Sequence, residues 1–136
     1  MTFDPTVDYP LGSRRPDLVE TPSGLALDEV TLEAAQAGTL VAADVRATAA
    51  TLARQAAVAR AAGRRQLADN LERAAELVGV PDDQLLEIYT ALRPGRSTAA
   101  ELEAWARRLD DWSAPQTAAF VREAADAYAA RGLVGG

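Results

Sequence analysis

Two pairs of helix breakers within one short stretch constrain the fold of this chain more than any other feature. Residues 73–98 read RAAELVGVPDDQLLEIYTALRPGRST. Gly79 and Pro81 stop the helical pattern that precedes them. Asp82 and Asp83 then stand in a new first turn, where negative charge suits the unpaired N–H groups. Leu85, Ile88, Tyr89 and Leu92 follow at helical spacing and predict a helix over 82–92, which Pro94 and Gly95 end. Thr98 and Glu101 have the spacing of a capping box, so a third helix starts at once. The stretch is a junction of three helices.

The rest of the chain extends that pattern in both directions. A helix is predicted over 28–37, stopped by Gly38, followed by a connection over 39–47 whose Leu40, Val41 and Val45 dock on the bundle. Thr48 caps a helix that ends near Ala62, with Leu52, Ala56 and Ala59 on one face and Gly63 as its stop. Residues 64–78 carry the cleanest apolar stripe, Leu67, Leu71, Ala74, Leu77 and Val78. Helices over 99–111 and 115–130 complete the set, the last with Ser113 and Gln116 at capping-box spacing and Pro115 in its first turn. Residues 1–27 show neither helical nor alternating periodicity and carry Pro5, Pro10, Pro16 and Pro22. No stretch competes as a strand. The expected class is all-α, a small open helical bundle over 28–132 with an extended N-terminal arm (1–27) and a flexible C-terminal tail (133–136).

Composition shows how such a bundle would pack. Of the 136 residues 31 are alanine, which favours helix but removes little apolar area from water when buried. Such helices form readily and pack thinly, which fits support from a partner surface and equally an ordinary small bundle. The net charge of −6 argues against nucleic acid and acidic membranes, and no apolar run is long enough to span a bilayer. Cysteine is absent, which fits a reducing, cytoplasmic setting.

Histidine is absent as well, so the commonest general base, the commonest metal ligand and the most reactive nucleophile are all missing. Asp82-Asp83 and Asp110-Asp111 are adjacent pairs, and neighbours one apart on a helix point in different directions. Helix-end electrostatics accounts for the first pair and a solvated loop for the second. Ser97, Thr98 and Ser113 stand where helix caps belong. No phosphate loop or oxygen-rich cation loop is present. No catalytic, cofactor-binding or metal-binding residue is therefore assigned. What remains are contact candidates. Tyr9, Pro10 and Leu11 lie in the arm, which reads either as a disordered tail or as a strap across another subunit. Arg93 and Arg96 read either as charges on an exposed turn at a helix end or as receptors for a partner's carboxylate. Trp105 and Trp112, seven apart, read as core or as interface anchors. Tyr89 joins them from the junction.

Several of these strings also carry a resemblance. Asp8-Tyr9-Pro10-Leu11, RAAEL, VPDD, LEIY, ALRP and RST, with Ala119 to Ala124 reading AFVREA, occur collinearly from about Asp8 to Arg131. In order and spacing the chain resembles the small subunit of the adenosylcobalamin-dependent diol and glycerol dehydratases. The resemblance implies a helical, non-catalytic subunit that stabilises a large catalytic barrel subunit. It implies a medium subunit as well, heterotrimer units that pair into a dimer of trimers, and adenosylcobalamin held by the other subunits. The reaction implied converts propane-1,2-diol or glycerol to an aldehyde and water. Some relatives carry a longer segment ahead of DYPL that is linked to a bacterial microcompartment; here Met1 to Val7 precede it, and the expected location is the cytoplasm. The competing expectation is a free-standing helical adaptor or interaction domain unrelated to an enzyme.

Overall fold

Threonine side chains start three helices in the computed structural model, which describes residues 2–135. Met1 and Gly136, the outermost residues of the expected arm and tail, lie outside the described residues. Thr31 Oγ1 accepts from the Ala34 N–H at 3.1 Å, Thr48 Oγ1 from Thr51 at 3.1 Å and Thr98 Oγ1 from Glu101 at 3.1 Å. Each satisfies one of the N–H groups that a helix leaves unpaired at its start. In chain order the helices are α1 (Leu11–Arg14), α2 (Leu32–Ala37), α3 (Ala49–Ala61), α4 (Arg65–Leu77), α5 (Asp82–Ala91), α6 (Ala99–Asp111) and α7 (Pro115–Ala130). Short 3₁₀ turns at Pro16–Leu18, Leu27–Glu29 and Ala42–Val45 join the first of them. Among the described residues there is no strand, only an isolated bridge between Glu20 and Ala26. The fold is all-α.

The chain divides into two compact units, 1–75 and 76–136. The first is held largely by polar groups. Arg15 is buried, and its guanidinium donates to Asp17 through Nε at 3.0 Å and Nη2 at 2.9 Å, and to Asp8 through Nη1 at 3.1 Å. Arg54 Nη1 donates to the Leu18 carbonyl at 3.0 Å, tying α3 to the proline-rich segment. Arg60 at the end of α3 bridges to Asp69 and Glu72 of α4 at 3.0 and 2.7 Å. The buried apolar side chains of this unit are Leu11, Ala56, Ala59 and Ala68. Burying a leucine contributes about 1.5–3 kcal/mol and a methyl-sized group about 0.8 kcal/mol, so one leucine and three alanines make a small core.

The second unit has an apolar centre. Val80, Ile88, Leu102, Ala106, Leu109, Ala114, Ala118 and Val121 are buried together, with Leu77, Leu85, Leu92, Trp105, Trp112 and Tyr128 packed around them. Helices α6 and α7 form a hairpin whose connection carries Ser113 at φ 59°. Arg122 of α7 closes its outer side, donating to Glu103 through Nε at 3.1 Å and to Asp110 through Nη2 at 2.9 Å.

Several expectations are corrected. The helix over 28–37 is shorter, because Thr31 is the cap and residues 27–29 form a 3₁₀ turn. Val41 and Val45 are exposed, not docked. The stripe of α4 is turned, so that Ala68 is buried while Leu67 and Val78 face water. Ser113 does not cap α7; its left-handed backbone makes Ala114 the N-cap. The cap comes from Glu76, whose Oε1 accepts from the Gln116 N–H at 2.9 Å and Oε2 from the N–H and hydroxyl of Thr117, both at 2.8 Å. A carboxylate 40 residues upstream does the work expected of a neighbour. Asp110 is the last-turn partner of Arg122 rather than part of a solvated loop.

Candidate subunit interface

The sequence RPGRST links α5 to α6, and hydrogen bonds from within it and from the C-terminal residues fix the turn. Gly95 adopts φ +76°, a left-handed backbone that glycine takes without the clash of a Cβ. Ser97 Oγ donates to the Ala91 carbonyl at 2.8 Å, and the Tyr128 hydroxyl donates to the Leu92 carbonyl at 2.7 Å. Both oxygens belong to the end of α5, where carbonyls lack helical partners.

The C-terminal residues complete this turn. Gly95 N–H donates to the Leu133 carbonyl at 2.6 Å and Gly135 N–H to the Ser97 carbonyl at 2.7 Å. A Cβ on residue 135 would come within 3.2 Å of the Arg96 carbonyl oxygen, so glycine allows this close approach. Over its described residues the C-terminal tail is thus hydrogen-bonded to the turn. Nothing in the local sequence signals this, because the bonds run from main chain to main chain across 38 positions.

Around this turn the contact candidates take distinct places. Arg93 and Arg96 are exposed. Tyr89 is 58% exposed; it was expected on the apolar face of α5, but one residue turns a helix by 100°, and Ile88 takes the inward position. Leu86, one turn before Tyr89 on the same outward face, is 68% exposed and was not singled out by sequence. Trp105 is half-buried against the core, with the Arg108 guanidinium 5.0 Å from its ring centroid, a cation–π contact. It borders a groove of about 280 Å³ with Glu87, Thr90, Arg96, Ser97 and Glu101. Trp112 is half-buried at the C-cap of α6 and packs on the same core. In the first unit Tyr9 and Pro10 are exposed while Leu11 is 2% exposed and belongs to the interior.

The first unit shows more apolar surface than its candidates suggested. Val7, Val30, Leu32, Val41, Val45 and Leu67 face water, Leu32 at 69% and Val45 at 80%. Helix α2 buries no residue at all. The signal was present in the sequence as large apolar side chains in segments too short to form an amphipathic face.

The carboxylates and guanidiniums that are hydrogen-bonded within the structure serve architecture. Asp44, 5% exposed, accepts from the Ser23 hydroxyl and, through Oδ2, from the Val41 N–H at 2.9 Å. These bonds, the Ser23 hydroxyl first, hold its carboxyl below the usual carboxylate range. Arg122 beside Glu103 does the same for that carboxyl, and hydrogen bonds to Glu103 and Asp110 raise the Arg122 guanidinium. Hydrogen bonding to Arg15 lowers Asp17. Depressed carboxylates of this kind are ion-pair and cap acceptors, the opposite of a general acid. Among the described residues no group of three or more histidine, cysteine or acidic side chains could hold a metal ion, and no helix is long and apolar enough to cross a membrane.

A helical chain with a clamped turn, thin packing and uncovered apolar side chains has the surface of a component, and comparison with known proteins agrees. The family model described as the dehydratase small subunit matches residues 5–134. The chain belongs to that family and is a dehydratase subunit. It is similar to the propanediol dehydratase small subunit of Salmonella typhimurium strain LT2, 51% identical over 125 residues that cover 91% of this chain and 72% of that protein. The propanediol dehydratase small subunit of Citrobacter freundii is equally similar, 51% over 125 residues, with 73% of its length covered.

Proposed function

We propose that this chain is the non-catalytic small subunit of an adenosylcobalamin-dependent diol dehydratase, which converts propane-1,2-diol or glycerol to the aldehyde with loss of water. Its role is to cover and stabilise the large subunit, with a medium subunit completing a heterotrimer and two heterotrimers pairing. The complex works in the cytoplasm, with a bacterial microcompartment as a further site. The observation that carries the reading is the uncovered apolar surface of residues 1–75 beside a core of one leucine and three alanines. Such a unit reaches full stability by burying that surface against a partner. Residues 1–27 then lie across the large subunit, with Tyr9 and Pro10 as contacts and Leu11 holding the segment to its own unit. Tyr89, Arg93, Arg96 and the exposed edges of Trp105 and Trp112 supply contacts from the second unit.

The cofactor belongs to the other subunits. That assignment rests on the family resemblance, and no residue of this chain is assigned to the cofactor. No chemical step is routed through its residues.

Co-expression with the large and medium subunits, with and without this chain, tests the reading. Size exclusion and adenosylcobalamin-dependent aldehyde formation are followed together. Loss of the large assembly and of activity without the chain is the expected result. Full assembly and activity of the other two subunits alone would overturn the stabilising role.

A further inference from the structure

We infer that Arg93, Arg96 and Arg131 form a preorganised receptor for carboxylates on an acidic segment of a partner dehydratase subunit. The inference rests on the proposed function and names the chemistry of one contact within it. The unit 76–136 holds ten acidic residues and six arginines. Arg107 and Arg122 are paired with Glu103, Arg122 also with Asp110, and Arg108 lies over Trp105 and donates to Gln84. Arg93, Arg96 and Arg131 are exposed and have no side-chain partner among the described residues.

Their isolation is built into the sequence. Positions three and four away from Arg93 hold Tyr89, Thr90, Arg96 and Ser97; those before Arg131 hold Ala127 and Tyr128. None is acidic, so no helical ion pair can form. The backbone then gathers the three together, since the Gly95–Leu133 bond places the segment after Arg131 against the residue between Arg93 and Arg96. The carbonyl ends of α5 and α7 favour a cation, which accounts for Arg93 and Arg131. Arg96 stands two residues ahead of the Thr98 cap of α6, at the end of a helix dipole that disfavours positive charge. Arg96 borders a groove with Glu87 and Glu101 but forms an ion pair with neither, which leaves its guanidinium open to a further counter-charge.

The Gly95–Leu133 and Gly135–Ser97 bonds fix the turn, and among the described residues the three guanidiniums have no side-chain partner, so binding a carboxylate costs little ordering of the main chain. Leu86 and Tyr89, seven and four residues before Arg93, are exposed on α5 and offer apolar surface in the turns that precede the charge. The occupant is therefore a segment carrying carboxylates next to apolar side chains.

The test uses the full chain, tagged and co-expressed with the large and medium subunits, with assembly measured across a salt series. Arg93→Gln/Arg96→Gln/Arg131→Gln is expected to weaken assembly by about tenfold or more and to flatten its salt dependence, whereas Arg64→Gln/Arg65→Gln changes it by less than about twofold. Arg93→Lys/Arg96→Lys keeps the charge but loses the bidentate fork, and an intermediate loss is expected. If circular dichroism shows the triple variant unfolded, Arg96→Gln alone carries the test, with about a threefold loss expected. Equal behaviour of the turn and Arg64/Arg65 variants would overturn the inference while leaving the proposed function standing. Failure of the wild-type chain to assemble with either subunit would overturn both.

Discussion

Residues 76–136 are organised by side chains that leave water, and residues 1–75 by side chains that bond to one another. In the second unit Ile88, Leu102, Leu109 and Val121 are removed from solvent by three helices, and Glu103, Asp110 and Arg122 close the outer side. In the first, guanidinium groups and a buried aspartate tie short turns together around Leu11 and three alanines, while valines and leucines remain outside. Hydrogen bonds and ion pairs contribute little net stability, because each replaces a bond to water, but they specify geometry. The second unit thus has the larger apolar core, and in the proposed assembly the first is the one that a partner would cover. A subunit that must recognise another protein can use both.

Core truncation gives the largest effect that separates the units. Leu109→Ala should destabilise the chain by about 2–5 kcal/mol in urea denaturation, through lost burial and the cavity left behind. Ala59→Gly in α3, which removes a buried methyl, should cost about 1 kcal/mol. Similar losses at the two positions would break the contrast. Next in size is the long-range cap. Glu76→Ala leaves the Gln116 and Thr117 N–H groups without their acceptor and should cost about 1 kcal/mol, read as a lower midpoint in the same assay. An unchanged midpoint would mean that water replaces the carboxylate without loss.

Acid sharpens the comparison from the other side. Asp17 and Asp44 in the first unit have folded pKa values below the ordinary 3.8, so the unfolded chain takes up protons more readily near that pH. Their contribution is fully present above about pH 5 and is lost as the pH falls below 3.8 through the folded values. Asp44→Asn should flatten the decline of stability below pH 4, followed by helical signal from the first unit's amides. Glu103, lowered from 4.5, makes the second unit respond in the same direction, but its apolar core persists. The smallest expected effect is at Ser113. Ser113→Gly removes a left-handed strain and should raise stability by up to about 1 kcal/mol. A loss would restore Ser113 as the cap of α7.

Legibility followed the range of the interactions. Thr48, Thr98 and Gly63 act on residues three or four away, so α3 and α6 were readable from sequence. The capping of α7 by Glu76 spans 40 positions, and a plausible Ser113-Gln116 pair nearby concealed it. The pinned tail was invisible for a related reason: main-chain donors and acceptors are the same in every sequence, and only Gly135 hints at the close approach. Tyr89 was placed on the wrong side because Ile88 and Tyr89 both satisfy a helical spacing, and packing decides between them. The family resemblance was legible throughout, since it is carried by strings from Asp8 to Arg131. Of the three arginines in the inferred receptor, Arg93 and Arg96 stood out in the sequence, whereas Arg131 joins them only through the fold.

Hydrogen exchange on the full chain, free and within the co-expressed complex, tests the central contrast most directly. Amides of α6 and α7 should be protected in both states. Those of α1, α2 and the intervening turns should exchange readily in the free chain and become protected by at least about tenfold in the complex, as expected for a unit whose local opening is suppressed by a partner. Equal protection of both units in the free chain, unchanged on assembly, would contradict the account.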